Sequence, residues 1–198
     1  EAEALGGDVF LGDETAGSRP GRLVYSRIEE IMQQDMFSAN RAPGRLETML
    51  AACRELKGRN EQVVFTMSGP FSILSALIDL TCVFKVWRKE PLKMAALFDF
   101  LSRQLLEFAV RIKAAGADGI SFADPAGAAS VLGPKFSALA AEGFISPFLQ
   151  KLAGVCGGKP VLLLCPVTAQ CLAAEESRRR GLRICCTKSL HNFAAAAK

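Results

Sequence analysis

The sequence has little of what several common protein classes require. No uninterrupted apolar run approaches the length of a bilayer-crossing helix, so we predict no membrane span. The net charge is only +4, and the one dense basic run, residues 178–180 with Arg183, has no interleaved aromatic side chains. Such a run is typical of the solvated end of a helix, so we expect no nucleic-acid partner.

A disulfide framework is also missing. The seven cysteines, an odd number, are scattered among apolar neighbours at positions 53, 82, 156, 165, 171, 185 and 186. This distribution is typical of a reducing compartment where thiols act as small buried hydrophobic groups, so we predict a cytoplasmic protein. With 198 residues, half of them hydrophobic, the chain can bury a sizeable core as a single domain over residues 1–198.

The chain has no initiating methionine. Residues 1–5 are mostly strong helix formers, and Gly6 and Gly7 follow them in the pattern of a last helical turn and its cap. We therefore expect the sequence to begin partway through a larger architecture.

Short apolar segments alternate with helical patterns along most of the chain. Helices are predicted over residues 28–36, from Pro43 to Gly58, from Phe71 through Thr81, from Pro91 to about Gly116, over 136–141, from Pro147 to Gly154 and over 169–180. Strands are predicted at residues 9–11, 63–67, 120–123, 161–165 and 182–186. From residue 63 onward this order predicts an α/β fold with parallel strands joined by right-handed crossovers.

One of these strands ends in a carboxylate. Gly116 closes the long helix, and residues 120–123 then lead to Asp124 and Pro125. Parallel α/β proteins build their chemistry at the carboxyl ends of strands, so Asp124 is a functional candidate. The alternative is that Asp124 only caps the next turn, as Asp often does before Pro. Both interpretations stay open.

A second strand turns directly into a helix through Ser68, Gly69 and Pro70. The start of such a helix leaves backbone N–H groups facing the strand ends, which suits a carboxylate or a phosphate. A plain tight turn is the alternative.

Together these motifs resemble a known family. The segments FTMSGPFSILSALI, IKAAGADGISFADPAGAASVLGPKFSALA, PFLQKLAG and KPVLLLCP are similar to the uroporphyrinogen decarboxylase superfamily, and the likeness covers most of residues 1–175. Within it they most resemble the cobalamin-dependent branch, which includes methylcobalamin:coenzyme M methyltransferases. The resemblance implies a (β/α)8 TIM barrel. Because such a barrel needs about 250 residues, the resemblance implies an incomplete one, without the strands before Glu1 and after about Cys186.

The resemblance also implies an activity, the transfer of a methyl group from a corrinoid protein or methylcobalamin to a thiol or related small acceptor. Decarboxylases of the superfamily have a Ser-His-type sequence where this chain has Asp124-Pro125, so tetrapyrrole decarboxylation is the weaker interpretation. Catalytic roles are implied for Asp124 and Cys165. The implied substrate-binding residues are Met67, Ser68, Gly69, Pro70, Phe71 and Pro125.

A zinc site is implied only in part. Zinc methyltransferases of the superfamily have His-x-Cys where this chain has Leu163, Leu164 and Cys165. An open catalytic zinc site needs three protein ligands, and Cys165 is the one that remains. Cys185, Cys186 and His191 are further candidates, but their spacing matches no zinc motif. Cys165 as a metal ligand and Cys165 as a buried structural thiol both stay open.

Two hypotheses follow from the resemblance. One is an enzyme whose corrinoid is supplied by a partner protein, and the other is a diverged, non-catalytic member that binds a corrinoid partner or an acidic small molecule. The Gly69-Pro70-Phe71 and Asp124-Pro125 elements favour the first, and Leu163 favours the second. A homo-oligomer is compatible with either.

Overall fold

The computed structural model describes residues 1–10, 19–38 and 44–176 of the chain. Its helices are α1 (Ile28–Met32), α2 (Arg45–Gly58), α3 (Pro70–Leu77), α4 (Leu80–Lys89), α5 (Pro91–Ala114), α6 (Ala129–Ala140), α7 (Ser146–Cys156) and α8 (Pro166–Glu176). Its strands are β1 (Val9–Phe10), β2 (Arg19–Pro20), β3 (Val64–Ser68), β4 (Gly119–Ala123) and β5 (Val161–Leu164). None of these helices is both long and apolar enough to cross a bilayer.

The described residues form two compact units. The first contains Glu1–Met49 and Pro70–Gln104, and the second contains Leu50–Gly69 and the described residues from Leu105 onward. The prediction of one domain is not tested by this division and stays a prediction.

The second unit is built on a parallel sheet with the strand order β3-β4-β5. Met67 pairs with Phe122, which in turn pairs with Leu164. The sheet buries aromatic side chains against helices, since the Phe65 ring lies 5.4 Å from that of Phe108 in α5 and the Phe122 ring lies 5.5 Å from that of Phe148 in α7. These contacts remove large apolar surfaces from water and fix the sheet beneath its helices.

The first unit is held by an aromatic cluster and a tied amino-terminal turn. Phe71 in α3 packs 5.5 Å from Phe98 and 5.8 Å from Trp87, measured between ring centroids. Near the start of the chain, Tyr25 Oη donates to the Leu5 carbonyl at 2.6 Å. Gly6 ends a single 3-10 turn with φ +88°, the left-handed conformation expected of a glycine cap.

The predictions for the three central strands and for α5 are confirmed. Each observed strand matches its predicted range to within a residue or two, and all three run parallel. The predicted apolar stripe of α5 is buried, with exposed fractions of 7% or less at Phe98, Leu101, Leu105, Phe108 and Ile112. The described residues therefore establish an α/β fold with a parallel sheet, whereas a closed barrel is not seen among them. The predicted strand 182–186 and the end of the helix predicted over 169–180 lie outside the described residues.

One predicted helix is wrong in its extent. The sequence predicts one continuous helix from Phe71 through Thr81, but α3 ends at Leu77 and α4 begins at Leu80. Asp79 explains the break, because its Oδ1 accepts from the Thr81 N–H at 2.8 Å and so caps the start of α4. Its pKa is lowered, chiefly by this backbone hydrogen bond.

The helix predicted over 136–141 is also longer than expected. It starts at Ala129, contains a break at Gly133 with φ +74°, and continues through a π-helical turn, Ala141–Ile145, into α7. The apolar spacing did not predict the first turn of this helix, because a Gly-Pro pair such as Gly133-Pro134 usually ends a helix.

Candidate functional site

Three parallel strands end at one edge of the sheet, and the residues that follow them are Gly69, Asp124 and Cys165. The Gly69 N–H donates to the Ala123 carbonyl at 2.8 Å, and the Cys165 N–H donates to the Phe122 carbonyl at 2.9 Å. The backbones of all three residues are therefore held side by side. The three residues therefore share the carboxyl edge of this parallel sheet.

Gly69 makes room for a buried carboxylate. Asp124 is only 1% exposed, and a Cβ added at Gly69 would lie 2.6 Å from Asp124 Oδ2. Any side chain at position 69 would thus collide with Asp124. The sequence indicated Gly69 as part of a turn and the resemblance as a substrate-binding residue, so this steric role is a finding of the structure.

The Asp124 side chain does not cap the turn that follows it. A 3-10 turn, Pro125–Gly127, comes next, and the Gly127 N–H bonds to the Asp124 carbonyl at 3.0 Å, with no capping hydrogen bond from the carboxylate. The Asp124 N–H donates to Thr168 Oγ1 at 2.9 Å. The capping hydrogen bond of the alternative interpretation is thus not seen at this 3-10 turn, and the functional role of Asp124 stays a prediction.

The two candidate catalytic side chains leave the sheet on opposite faces. Side chains alternate along a strand, and paired residues of neighbouring parallel strands share a face. Gly69 and Asp124 continue the face of the fully buried Met67 and Phe122. Cys165 continues the face of Leu163, which pairs with Ser121. Asp124 and Cys165 thus meet at the strand tips and not within one face.

Cys165 is the more accessible of the two. It is a free, partly buried thiol between β5 and α8, and its carbonyl accepts from the Ala169 N–H at 2.9 Å in the first turn of α8. Cys165 is therefore neither fully buried nor part of a disulfide, so a role as an accessible thiol stays open.

The remaining predicted residues have varied surroundings. Met67 and Pro70 are buried, Ser68 is half-buried and Pro125 is exposed. Phe71 begins the aromatic cluster of the first unit, which gives it a packing role. Substrate-binding roles for these residues stay predictions.

The described residues do not fit a zinc site. They contain no group of three His, Cys, Asp or Glu side chains that could hold a metal ion. Leu163, in the place of the superfamily's histidine, offers no donor atom. The other candidates, Cys185, Cys186 and His191, lie outside the described residues.

The amino edge of the same sheet is tied by Asp118. Its carboxylate accepts from Lys57 Nζ at 2.9 and 3.1 Å and from the Val63 N–H at 2.8 Å. Burial by itself would raise the pKa of Asp118, but these hydrogen bonds and the nearby lysine charges outweigh it and leave the pKa lowered. An open cavity of about 270 Å³ beside Asp118 is lined by Lys113 and Lys159. In parallel α/β proteins this edge usually serves stability.

Most of the chain matches one protein family. The model of the uroporphyrinogen decarboxylase family matches residues 1–165. The chain belongs to this family. No curated protein matches the sequence.

A solved structure extends the comparison to the fold. This member of the uroporphyrinogen decarboxylase family is similar to a methyltransferase from Methanosarcina mazei, with a TM-score of 0.67 and 21% sequence identity. The match covers 89% of this chain and 51% of that one, so the chain spans about half the length of the methyltransferase. At this identity the likeness shows a shared fold.

Proposed function

We propose that the chain forms part of a methyltransferase barrel that moves a methyl group from a corrinoid protein or methylcobalamin to a thiol or a related small acceptor. Family membership and the fold shared with a methyltransferase support this proposal. The observation that carries it is the meeting of a buried Asp124 and an accessible Cys165 at the carboxyl edge of the sheet. Asp124-Pro125 in place of a Ser-His-type sequence argues against tetrapyrrole decarboxylation.

In this proposal Asp124 orients the acceptor. A carboxylate shielded from water acts in a low dielectric, where its charge and hydrogen bonds are felt more strongly than in solvent. The acceptor thiol loses its proton to solvent, and its sulfur forms a bond to the methyl carbon. The bond from that carbon to cobalt breaks, and its electron pair stays on the corrinoid.

No step of the proposal passes through zinc. Cys165 is the metal ligand predicted from the resemblance, and it would need partners beyond the described residues. Without metal, Cys165 contributes an accessible thiol beside the acceptor.

A second candidate is a non-catalytic family member that binds a corrinoid protein or an acidic small molecule. Leu163 favours it, because a leucine removes a ligand that the superfamily's zinc enzymes use. Both candidates share the proposed setting, a reducing cytoplasm that suits the free thiols of Cys53, Cys82, Cys156 and Cys165. The first candidate requires a corrinoid partner and the second allows one, and both require neither nucleic acid nor a membrane and allow a homo-oligomer.

The test is a methyl-transfer assay on the full chain. Methylcobalamin and coenzyme M serve as donor and acceptor, and mass spectrometry measures the methylated thiol while absorbance follows the corrinoid. We expect transfer by the wild type, with a loss on the order of a hundredfold in kcat/KM for Asp124→Asn and a clear loss for Cys165→Ser. Cys82→Ser, which alters another partly exposed thiol, is the matched control and keeps full activity.

The remaining outcomes separate the two candidates. Methylcobalamin binding without turnover supports the non-catalytic member. Neither binding nor turnover contradicts both. Metal analysis of the same samples tests zinc, since stoichiometric zinc lost in Cys165→Ser supports ligation by this residue.

A further inference from the structure

The hydroxyl of Thr168 lies where the hydrogen-bond ladder between β4 and β5 ends. The last ladder bond joins the Cys165 N–H to the Phe122 carbonyl at 2.9 Å. If the parallel ladder continued by one more hydrogen bond, the Asp124 N–H would donate to the Cys165 carbonyl. That carbonyl instead accepts from the Ala169 N–H, because α8 has begun. The Asp124 N–H donates to Thr168 Oγ1 at 2.9 Å, so the hydroxyl takes the place of the next strand residue.

This hydrogen bond is buried on both sides. Thr168 is 2% exposed and Asp124 is 1% exposed. A buried N–H group needs a hydrogen-bond acceptor. Without one, the folded protein loses the favourable free energy of hydrating that group and gains no hydrogen bond in return. Removing the hydroxyl would therefore destabilise this backbone conformation of Asp124.

Two hydrogen bonds clamp the tip of β4 to one helical turn. The Phe122 carbonyl and the Asp124 N–H bracket Ala123, and their partners, Cys165 and Thr168, are three residues apart at the start of α8. Asp124 itself has φ −130° and ψ 63°, outside the regular strand region. The direction of its carboxylate thus depends on a backbone that the clamp holds in place.

We propose that Thr168 is the positioning residue that sets the placement of Asp124 relative to Cys165. The inference rests on the proposed function, because it assigns Thr168 to the same site. Thr168 acts through the Asp124 backbone and does not contact the substrate. Its hydroxyl is an acceptor that neither spacing nor the resemblance indicated.

The experiment compares Thr168→Val, which keeps the shape but loses the acceptor, with Thr168→Ser, which keeps the acceptor. Ser137→Ala is the matched control, since Ser137 has another buried hydroxyl, bonded to the Gly127 carbonyl at 3.0 Å. Two readouts are taken on the full chain. One is hydrogen exchange at the Asp124 amide by NMR, and the other is kcat and KM for methyl transfer from methylcobalamin to coenzyme M.

We expect Thr168→Val to speed exchange at the Asp124 amide by roughly fivefold to tenfold and to lower kcat by a similar factor. KM should change little, and Thr168→Ser should restore both readouts. Faster exchange with an unchanged kcat would show that the Thr168 hydrogen bond has only a structural role, and this would overturn the inference. Unchanged exchange at the Asp124 amide would overturn it too. An inactive wild type would overturn the proposed reaction and not the role of Thr168. Hydrogen exchange at the Asp124 amide, compared between Thr168→Val and Thr168→Ser, would then decide whether Thr168 holds Asp124.

Discussion

At the scale of single residues, the space beside Gly69 determines whether Asp124 can occupy its buried position. The carboxylate lies directly against the Gly69 backbone, so a side chain there cannot be accommodated without movement of β3 or β4. The close packing of protein interiors makes such movements costly.

Gly69→Ala should therefore destabilise the protein. The new methyl group would collide with the Asp124 carboxylate, and overpacking of this kind costs about 1–3 kcal/mol. The free energy of unfolding, measured by urea titration, checks this expectation.

The matched control for this change is Gly154→Ala. Gly154 lies on an exposed part of α7, and among the described residues nothing approaches within 4 Å of an added Cβ. Alanine favours the helix over glycine, so this variant should be more stable by about 0.5–1 kcal/mol. Equal stability of Gly69→Ala and the wild type would contradict the described contact.

At this scale the sequence could indicate Asp124 but not Thr168. Asp124 follows a short apolar strand, and the carboxyl ends of such strands are recognisable from local pattern. Thr168 is 44 residues away, and its link to Asp124 exists only when β4 and β5 are adjacent. Long-range hydrogen bonds of this kind leave no periodic trace in a sequence.

At the scale of elements, Asp118 joins the amino ends of the sheet strands and α2. Its carboxylate bonds to Lys57 in α2 and to the N–H of Val63 just before β3, and its carbonyl accepts from Val161 N–H in β5 at 2.8 Å. The side chains of Asp118 and Lys57 are 25% and 28% exposed, so water screens their ion pair only in part.

Asp118→Asn should lower the free energy of unfolding by about 1–2 kcal/mol near neutral pH, since it removes the charge that Lys57 pairs with. The pKa of Asp118 is lowered from 3.8 in the folded state. The carboxylate thus stabilises the fold above its unfolded pKa, and this contribution disappears as the pH falls through the folded pKa. Urea titrations at several pH values should show the gap between variant and wild type closing in acid.

Glu107→Gln is the control for this prediction. It removes an ion pair with Arg111 that is exposed on α5, with side chains 49% and 39% exposed. Surface pairs contribute little, so its effect should be much smaller at every pH. If the difference in unfolding free energy between Asp118→Asn and the wild type stayed constant at acid pH, the ion pair would be excluded as its cause.

Sequence patterns were most informative at the scale of elements, although they misjudged the extent of two helices. The buried stripe of α5 followed from spacings of three and four. The break between α3 and α4 did not, because apolar spacing continues across Asp79 while its carboxylate caps a new helix. A capping residue within an apolar segment can therefore separate two helices even where the apolar spacing predicts one.

At the scale of the whole molecule, the four cysteines whose side chains the structure describes fall into two classes of accessibility. Cys53 and Cys156 are 2% and 3% exposed, whereas Cys82 and Cys165 are partly exposed. Burial raises the pKa of both Cys53 and Cys156, and alkylating reagents react with the thiolate.

Iodoacetamide should therefore modify Cys82 and Cys165 well before Cys53 and Cys156 in the native protein. Peptide mapping by mass spectrometry at successive times gives the four rates. In denaturant the difference should vanish, because burial alone causes it. Native Cys53 or Cys156 reacting as fast as Cys82 would contradict the described core.

Neither the sequence pattern nor family membership could predict whether the sheet closes into a barrel. Alternation predicts parallel neighbours, but the number of strands depends on how much chain contributes to the sheet. The strands β3, β4 and β5 fix the order and register of one parallel sheet.

The opposite facing of Asp124 and Cys165 has a consequence for the shape of any ligand. A molecule lying flat on either face of the sheet could contact only one of them. To reach both it must straddle the ends of β4 and β5, approaching along the strand direction. A ligand with two separated anchoring groups would meet this demand, whereas a ligand with a single anchoring group would not.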